Sequence, residues 1–220
     1  CDTFVAATAA DSAHAAMVRA NQAVSALQQG WGRPLNRPDF LAGASVVAAK
    51  LADQVEIVQA GDALACWRSP QGRLGATANT VYGYEQHLLA IVVRIMGEVQ
   101  GDRAAMWESY YPLRCAAVRQ YTNRPGQLGF SVVNGQPEAV PLFQTYLIPP
   151  DEVETLLLFS DGLVLFEKTE YPEQLARFVF AAYDRGGLVR VLEETRAGER
   201  AKEARSHASY AEATAIAISF

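Results

Sequence analysis

Apolar and polar positions along this chain fall into short stretches whose period changes several times. In residues 1 to 29, Phe4, Val5, Ala9, Ala15, Val18, Ala23, Val24 and Leu27 recur at spacings that suit one or two helices. Asp11-Ser12 breaks the run and offers a cap for a helix from about Ser12 to Gln29, which Gly30-Trp31-Gly32-Arg33-Pro34 then stops. The period shortens next. Ala42 to Leu51 reads as a strand of small residues, Val55 to Ala60 as an alternating strand and Ala63 to Arg68 as a third. Asp53-Gln54, Gly61-Asp62 and Ser69-Pro70-Gln71-Gly72 are the turns between and after them.

Helical spacing returns from His87 to Val99 and from Arg103 to Tyr121, where Trp107, Tyr110, Tyr111, Leu113, Val118 and Tyr121 are the expected packing residues. Asn123-Arg124-Pro125-Gly126 ends that stretch. Phe130 to Val133 predicts a strand that turns at Asn134-Gly135, a pair suited to positive φ. Phe143 to Ile148 and Leu156 to Phe159 are further strands. Tyr171 to Tyr183 and Gly187 to Ala204 predict helices divided at Gly186-Gly187, and Ala213 to Phe220 predicts a closing strand. Seven or eight strands joined mostly by turns, with helices before, between and after them, predict an α+β fold. Antiparallel sheets with helices on their outer faces would bury this pattern in a single domain over residues 1 to 220.

Composition narrows the function classes. At 220 residues, half hydrophobic and a fifth charged, the chain can bury a full core. Its net charge of −5 includes no stripe of Lys or Arg, which excludes a nucleic-acid surface. No apolar run reaches the roughly 18 residues of a membrane span, and no basic segment followed by an apolar core marks a signal peptide. Cys1, Cys66 and Cys115 are odd in number and far apart, which suits a reducing, cytoplasmic compartment better than a disulfide framework or a zinc site.

The candidate chemistry centres on Glu154 to Leu163. Large apolar residues run to Phe159 and stop at Ser160-Asp161-Gly162. The run is short, follows Pro149-Pro150 and ends at a glycine, so a buried strand is expected. A carboxylate at the end of such a strand is held rigidly at the rim of the core, where it can ligate a metal or act as an acid. The same Asp161-Gly162 pair equally suits a tight turn with no further role.

Three separated pieces together resemble the PPM-type, or type 2C, metal-dependent serine/threonine phosphatases. Gly43-Ala44-Ser45 followed by Gly61-Asp62-Ala63-Leu64 is similar to that family's first strand pair, Ser160-Asp161-Gly162 to its central Ser-Asp-Gly, and Glu212-Ala213-Thr214-Ala215-Ile216 to its closing strand. Met17 to Val24 resembles the helix before the first strand pair. The resemblance covers about residues 15 to 220, without the opening strands that carry the family's first metal-binding Asp-Gly. It implies two packed antiparallel sheets flanked by helix pairs, an α-β-β-α sandwich, and hydrolysis of phosphoserine and phosphothreonine at a centre of two Mn or Mg ions. Carried over residue by residue, it implies metal ligation by Asp161, by Asp62 for a weaker ion and by Glu212, with Gly61 and Gly162 shaping the backbone.

Two expected acids are missing. Leu165 stands four residues after Asp161, and the terminal ligand position is Ala211, with Glu212 and His207 as substitutes. The alternative is therefore an inactive, phosphatase-like module that binds a regulatory partner. A phosphorylated protein is the expected substrate or ligand, and an exposed sheet edge invites a homodimer. Cys1-Asp2-Thr3-Phe4 also looks like the mature start of N-terminal cysteine hydrolases, although the residues after it are alanine-rich and helix-like. His14 and His87 are scattered polar positions, Trp31 and Trp107 are expected to pack, and Asn123-Arg124 form a loop that could meet a substrate phosphate.

Overall fold

The structure is a computed structural model that describes residues 12–203 and 212–220. Cys1, Ala204, His207 and Ala211 lie outside the described residues. Contacts gather the chain into two units, one built from Ala15–Ala44 and Thr80–Phe143 and the other from Ser12–His14, Ser45–Asn79 and Gln144–Phe220.

The second unit holds both sheets. Strands β1 (Val46–Leu51), β2 (Val55–Ala60) and β5 (Gln144–Ile148) form a three-stranded antiparallel sheet in the order β1-β2-β5. Strands β3 (Leu64–Arg68), β4 (Leu74–Ala76), β6 (Thr155–Phe159) and β7 (Ala215–Ser219) form a four-stranded antiparallel sheet in the order β4-β3-β6-β7. The sheets pack face to face through Val55, Ile57 and Ile148 on one side and Ala65 and Leu156 on the other. The outer face of the larger sheet carries Leu64, Cys66, Leu157 and Phe159, which meet Leu175, Ala176, Val179, Phe180 and Val191 of the long helix α4 (Pro172–Glu203).

Strand β6 explains its own sequence. Leu157 and Phe159 face the helix, and Leu156 faces the other sheet. A strand buried on both faces needs no polar alternation, so it reads as a continuous apolar run. Burial of Leu157 against this core stabilises the fold by about 2–5 kcal/mol relative to alanine, the usual cost of emptying such a site. Helix α4 breaks its helical geometry at Gly186 and Gly187, the latter at φ +68°. Left-handed backbone favours glycine, so the division predicted from that pair is real.

The first unit is helical. It contains most of α1 (Ala13–Gly30), then α2 (Tyr82–Glu98) and α3 (Arg103–Tyr121). Helix α3 starts on Asp102, whose carboxylate accepts from the N–H groups of Ala104 at 2.9 Å and Ala105 at 3.2 Å. Tyr84 of α2 and Ala117 of α3 share a core with Val81 and Phe130.

Several expectations need correction. Helix α2 begins at Tyr82 rather than His87, and β4 was not anticipated because three residues carry too little pattern. Trp107 and Trp31 are not core residues, being 55% and 62% exposed; Trp107 meets the Tyr110 ring edge-on and Arg33 lies over Trp31. Tyr111 and Leu113 are exposed too. In α3 the seven-residue spacing of Tyr110 and Ala117 defines the buried face, and Trp107 and Tyr111 share another.

Phe130 to Val133 forms no strand, only isolated bridges from Phe130 to Thr122 and from Val133 to Ala44. The Val132 N–H is taken by the Asn123 side chain at 2.8 Å, so a ladder bond there is replaced by a side-chain bond.

Candidate functional site

Strand register gathers the residues of interest. In the β3–β6 pair Leu64 lies opposite Phe159, and in the β6–β7 pair Phe159 lies opposite Ala215. Stepping two residues outward along each strand brings Asp62, Asp161 and Ala213 to the same end of the four-stranded sheet. Antiparallel pairing fixes this placement, since the N-terminal ends of β3 and β7 must meet the C-terminal end of β6.

Each stretch at that end is pinned. Gly61 turns the chain out of β2 at φ +80°, and a Cβ there would fall 2.2 Å from the Ser45 Oγ. Only glycine fits. The Asp62 N–H donates to that Ser45 Oγ at 3.3 Å. Beneath the turn, the fully buried Gln59 donates through Nε2 to the carbonyls of Gly61 at 3.3 Å and Ala78 at 3.0 Å.

Asp161 opens a single 3-10 turn, Asp161–Leu163, in which the Leu163 N–H donates to the Ser160 carbonyl and the Val164 N–H to the Asp161 carbonyl, both at 3.1 Å. Thr195 of α4 donates through Oγ1 to the Leu163 carbonyl at 2.8 Å and holds this turn to the helix. Ser160 ties the closing segment in place. Its N–H donates to the Thr214 carbonyl at 2.9 Å, and its Oγ accepts from the Thr214 N–H at 3.0 Å and donates to the Glu212 carbonyl at 3.3 Å.

Electrostatics single out Asp161. Its carboxyl lies at the exposed rim, yet protein crowds it from one side. Partial burial raises its pKa, the negative charge of Asp62 raises it further, and the Gly162 N–H, donating to Oδ1 at 2.9 Å, pulls in the opposite direction. Asp62 and Asp161 are therefore near enough to repel one another.

Glu212 is fixed here through its carbonyl, while its side chain is exposed. Among the described residues no three His, Cys, Asp or Glu side chains converge in a way that could hold an ion. Leu165, at the position of an expected acid, lies against α4, where its Cδ1 fills the space a Cβ on Gly198 would need. Two carboxylates with water suit one hard divalent ion. They do not supply ligands for two.

The other sequence candidates sit elsewhere in their units. His14 is within hydrogen-bond distance of Thr145 Oγ1, at 3.2 Å. Asn123 is buried at φ +54° and serves the fold, because its Nδ2 donates to Asn134 Oδ1 at 2.8 Å and Gln136 Oε1 at 3.0 Å. Arg124 is exposed. Ser45, Gln59 and Ser160 are the supporting residues to which sequence reasoning gave no role of their own, although Ser45 and Ser160 stand in the motifs it compared. Hydroxyls and an amide flanking Gly-Asp and Asp-Gly turns were their only local signal.

Protein-family models give no match to this chain, and neither do curated proteins. Solved structures do. The serine-threonine phosphatase 2C from Toxoplasma gondii is similar with a TM-score of 0.53 and 17% identity, over 94% of this chain and 66% of that one. The structural likeness shows a shared fold, and at this identity the fold alone. The chain spans 66% of the length of that phosphatase. Among the described residues, no helix is long and apolar enough to cross a membrane.

Proposed function

We propose that this chain is a phosphatase 2C-like hydrolase acting on phosphoserine and phosphothreonine in proteins, with Asp161 and Asp62 as the carboxylates that hold Mn or Mg. The observation that supports the reading is the strand register, in which Leu64 pairs with Phe159 and the turns that carry Asp62 and Asp161 follow at the same end of the four-stranded sheet. Their mutual repulsion is what a divalent cation would relieve. Hard divalent ions prefer carboxylate and water oxygens, and an ion bound there supplies an acidified water and offsets charge on phosphoryl oxygens. Gly61 and Gly162 shape the two turns, and Ser45 and Ser160 keep the neighbouring segments in register. The residues at hand suit one ion. A second ion and Glu212 as its ligand belong to the same proposal and need a further donor. The reducing, cytoplasmic setting expected from free Cys66 and Cys115 fits an intracellular phosphoprotein substrate, and nucleic acid is not part of the proposal.

Calorimetric titration with manganese, paired with phosphate release from a phosphothreonine peptide, tests the proposal. Manganese uptake and manganese-dependent turnover are expected, and Asp161→Ala should lose both. A chain that takes up no manganese and releases no phosphate would sink it.

A second reading has its own support. Leu165 is engaged by Gly198, and no third ligand joins the two carboxylates among the described residues. A binding module that keeps the fold and recognises a phosphorylated or regulatory partner would show peptide binding without turnover, unaltered by manganese.

A further inference from the structure

Helix α4 is two helices joined at a break, and its halves hold different parts of the fold. Before the break, Leu175, Ala176, Val179, Phe180 and Ala182 pack on the outer face of the four-stranded sheet. After it, Leu188, Val191, Leu192 and Thr195 recur at helical spacing and form one stripe. Val191 is buried in the same core, with Leu188 and Leu192 packed against it. Thr195 continues the stripe as a fully buried polar residue.

The Thr195 hydroxyl leaves its own helix. In a helix such a hydroxyl ordinarily turns back to the carbonyl three or four residues earlier. Here Oγ1 donates at 2.8 Å to the carbonyl of Leu163, two residues after Asp161. That carbonyl belongs to the peptide unit whose N–H, on Val164, donates to the carbonyl of Asp161 itself at 3.1 Å. A peptide unit is planar and rigid, so Thr195 grips one side of a plate whose other side grips Asp161. Gly198 lies three residues on, on the same face of the helix. A Cβ there would stand 2.7 Å from the Leu165 Cδ1, so the glycine leaves the notch that Leu165 occupies. Two alternate residues of the chain leaving the Asp161 turn are thus held by the second half of α4.

The second half must itself be fixed. Regular helical backbone does not run through Gly186 and Gly187, and Gly187 stands at φ +68°. The backbone alone therefore does not set the angle between the halves. Arg185, the last residue before the break, reaches across it and donates through Nη2 to both carboxylate oxygens of Glu194, at 2.7 and 2.8 Å. Arg190 steadies Glu194 from within the second half, donating through Nε to Oε1 at 2.8 Å. The cleft at the break has a volume of about 550 Å³ and is lined by Arg185, Gly186, Val189, Arg190 and Glu193. Charge rather than apolar packing ties the halves on this side. Glu194 is the immediate neighbour of Thr195, so the ion pair and the grip on the turn sit at the same point of the helix.

We infer that the second half of α4 is a positioning arm for Asp161, in which Thr195 fixes the turn and the Arg185–Glu194 pair fixes the arm. Its effect on an ion rests on the reading of Asp161 as an ion-holding carboxylate. Thr195 is a positioning residue, since it acts through the peptide between Leu163 and Val164. Loosening either hold releases the turn and weakens ion binding, because a ligand contributes fully only when its support keeps it in place.

Amide exchange of the metal-free chain, read residue by residue, and calorimetric titration with manganese test this together. Thr195→Val keeps the side-chain shape and removes the donor. The Leu163 and Val164 amides should then exchange roughly tenfold faster and manganese should bind roughly tenfold more weakly, the worth of one hydrogen bond to a buried carbonyl. Amides of β2 should keep their rates. Thr195→Ser retains the hydroxyl and should restore most of both values. Arg185→Gln alters an exposed side chain and should move the same two amides and the manganese affinity in the same direction by roughly threefold, since exposed ion pairs are worth less. A merely structural role would speed exchange in β2 as much as in the turn, and that result overturns the inference. So do turn amides that Thr195→Val or Arg185→Gln leaves unchanged, a serine variant that behaves like the valine one, or a manganese affinity indifferent to all three substitutions. A wild-type chain that takes up no manganese while the turn amides respond as expected sinks the ion reading of Asp161 and supports the arm.

Discussion

Asp62 and Asp161 stand just beyond the same end of the β3–β6 pair, and the Asp62 charge adds to partial burial in raising the Asp161 carboxyl above its ordinary 3.8. The relationship has a definite sign. A carboxyl whose folded pKa is raised holds its proton more tightly when folded, so its contribution to stability falls as pH rises from the unfolded value through the folded one. Removing the neighbouring charge should undo part of this. In Asp62→Asn, the Asp161 carboxyl carbon should titrate at lower pH than in the wild-type chain when followed by NMR. An unchanged midpoint would mean that the two carboxylates do not interact.

Asp39 behaves in the opposite way. It accepts from Arg37 at 3.0 Å and Arg119 at 2.9 Å, with its side chain only 6% exposed. Hydrogen bonds from Arg37 lower its pKa most, burial opposes them, Arg119 adds to them, and the carboxyl is held at about 2. Its stabilising contribution is complete above the unfolded value of 3.8 and is lost as pH falls through 3.8 toward about 2. Asp39→Asn should destabilise the chain by about 1 kcal/mol near neutrality, a figure discounted for the partly exposed guanidiniums. The difference should shrink toward pH 2. Urea melts of both proteins at neutral and acid pH measure it.

Gly61→Ala combines a left-handed backbone angle with a collision at Ser45, since the added Cβ would meet both Oγ and Cβ of that residue. A loss of about 2–4 kcal/mol is expected. Adding Ser45→Gly should restore part of the loss, because it removes the collision and leaves the φ of +80° in place. Denaturation midpoints of the two single variants and the double variant separate the two contributions.

Asn123→Ala should cost about 2–3 kcal/mol in chemical denaturation. It leaves the Val132 N–H without its acceptor and takes one of two donors from each of Asn134 Oδ1 and Gln136 Oε1, which keep the Gln136 N–H and the Asn134 Nδ2. Asn123→Gly keeps the φ of +54° accessible but makes none of those bonds. It should fall between the wild-type chain and the alanine variant.

Much of the fold was legible along the chain. Strand β2 and helix α3 occupy the stretches their periodicity predicts, Val55–Ala60 and Arg103–Tyr121, and Gly186-Gly187 divides α4 where two helices were expected. Those features rest on local physics: side-chain period, caps and the φ preferences of glycine. The segment after α3 misled because its bonds are not local in sequence. Phe130 to Val133 has the composition of a strand, but the Asn123 side chain satisfies Val132, and the Asn21 carboxamide oxygen accepts from the distant Gly135 N–H at 2.9 Å. Aromatic residues in α3 gave no means of telling the buried Tyr110 from the exposed Trp107, because the choice of inner face depends on what packs there.

The candidate site divides along the same line. By itself the sequence determined that Asp62 and Asp161 each end a strand in a glycine-bearing turn, since Gly61 and Gly162 and the apolar runs beside them are local signals. Only the tertiary structure decided that the two turns share one end of one sheet. That follows from Leu64 pairing with Phe159, a register set by burial of both faces of β6. Tertiary structure also decided that Leu165 belongs to α4 and that Glu212 contributes its carbonyl to the Ser160 anchor. Spacing along the chain lists the carboxylates, and strand pairing determines which of them can meet.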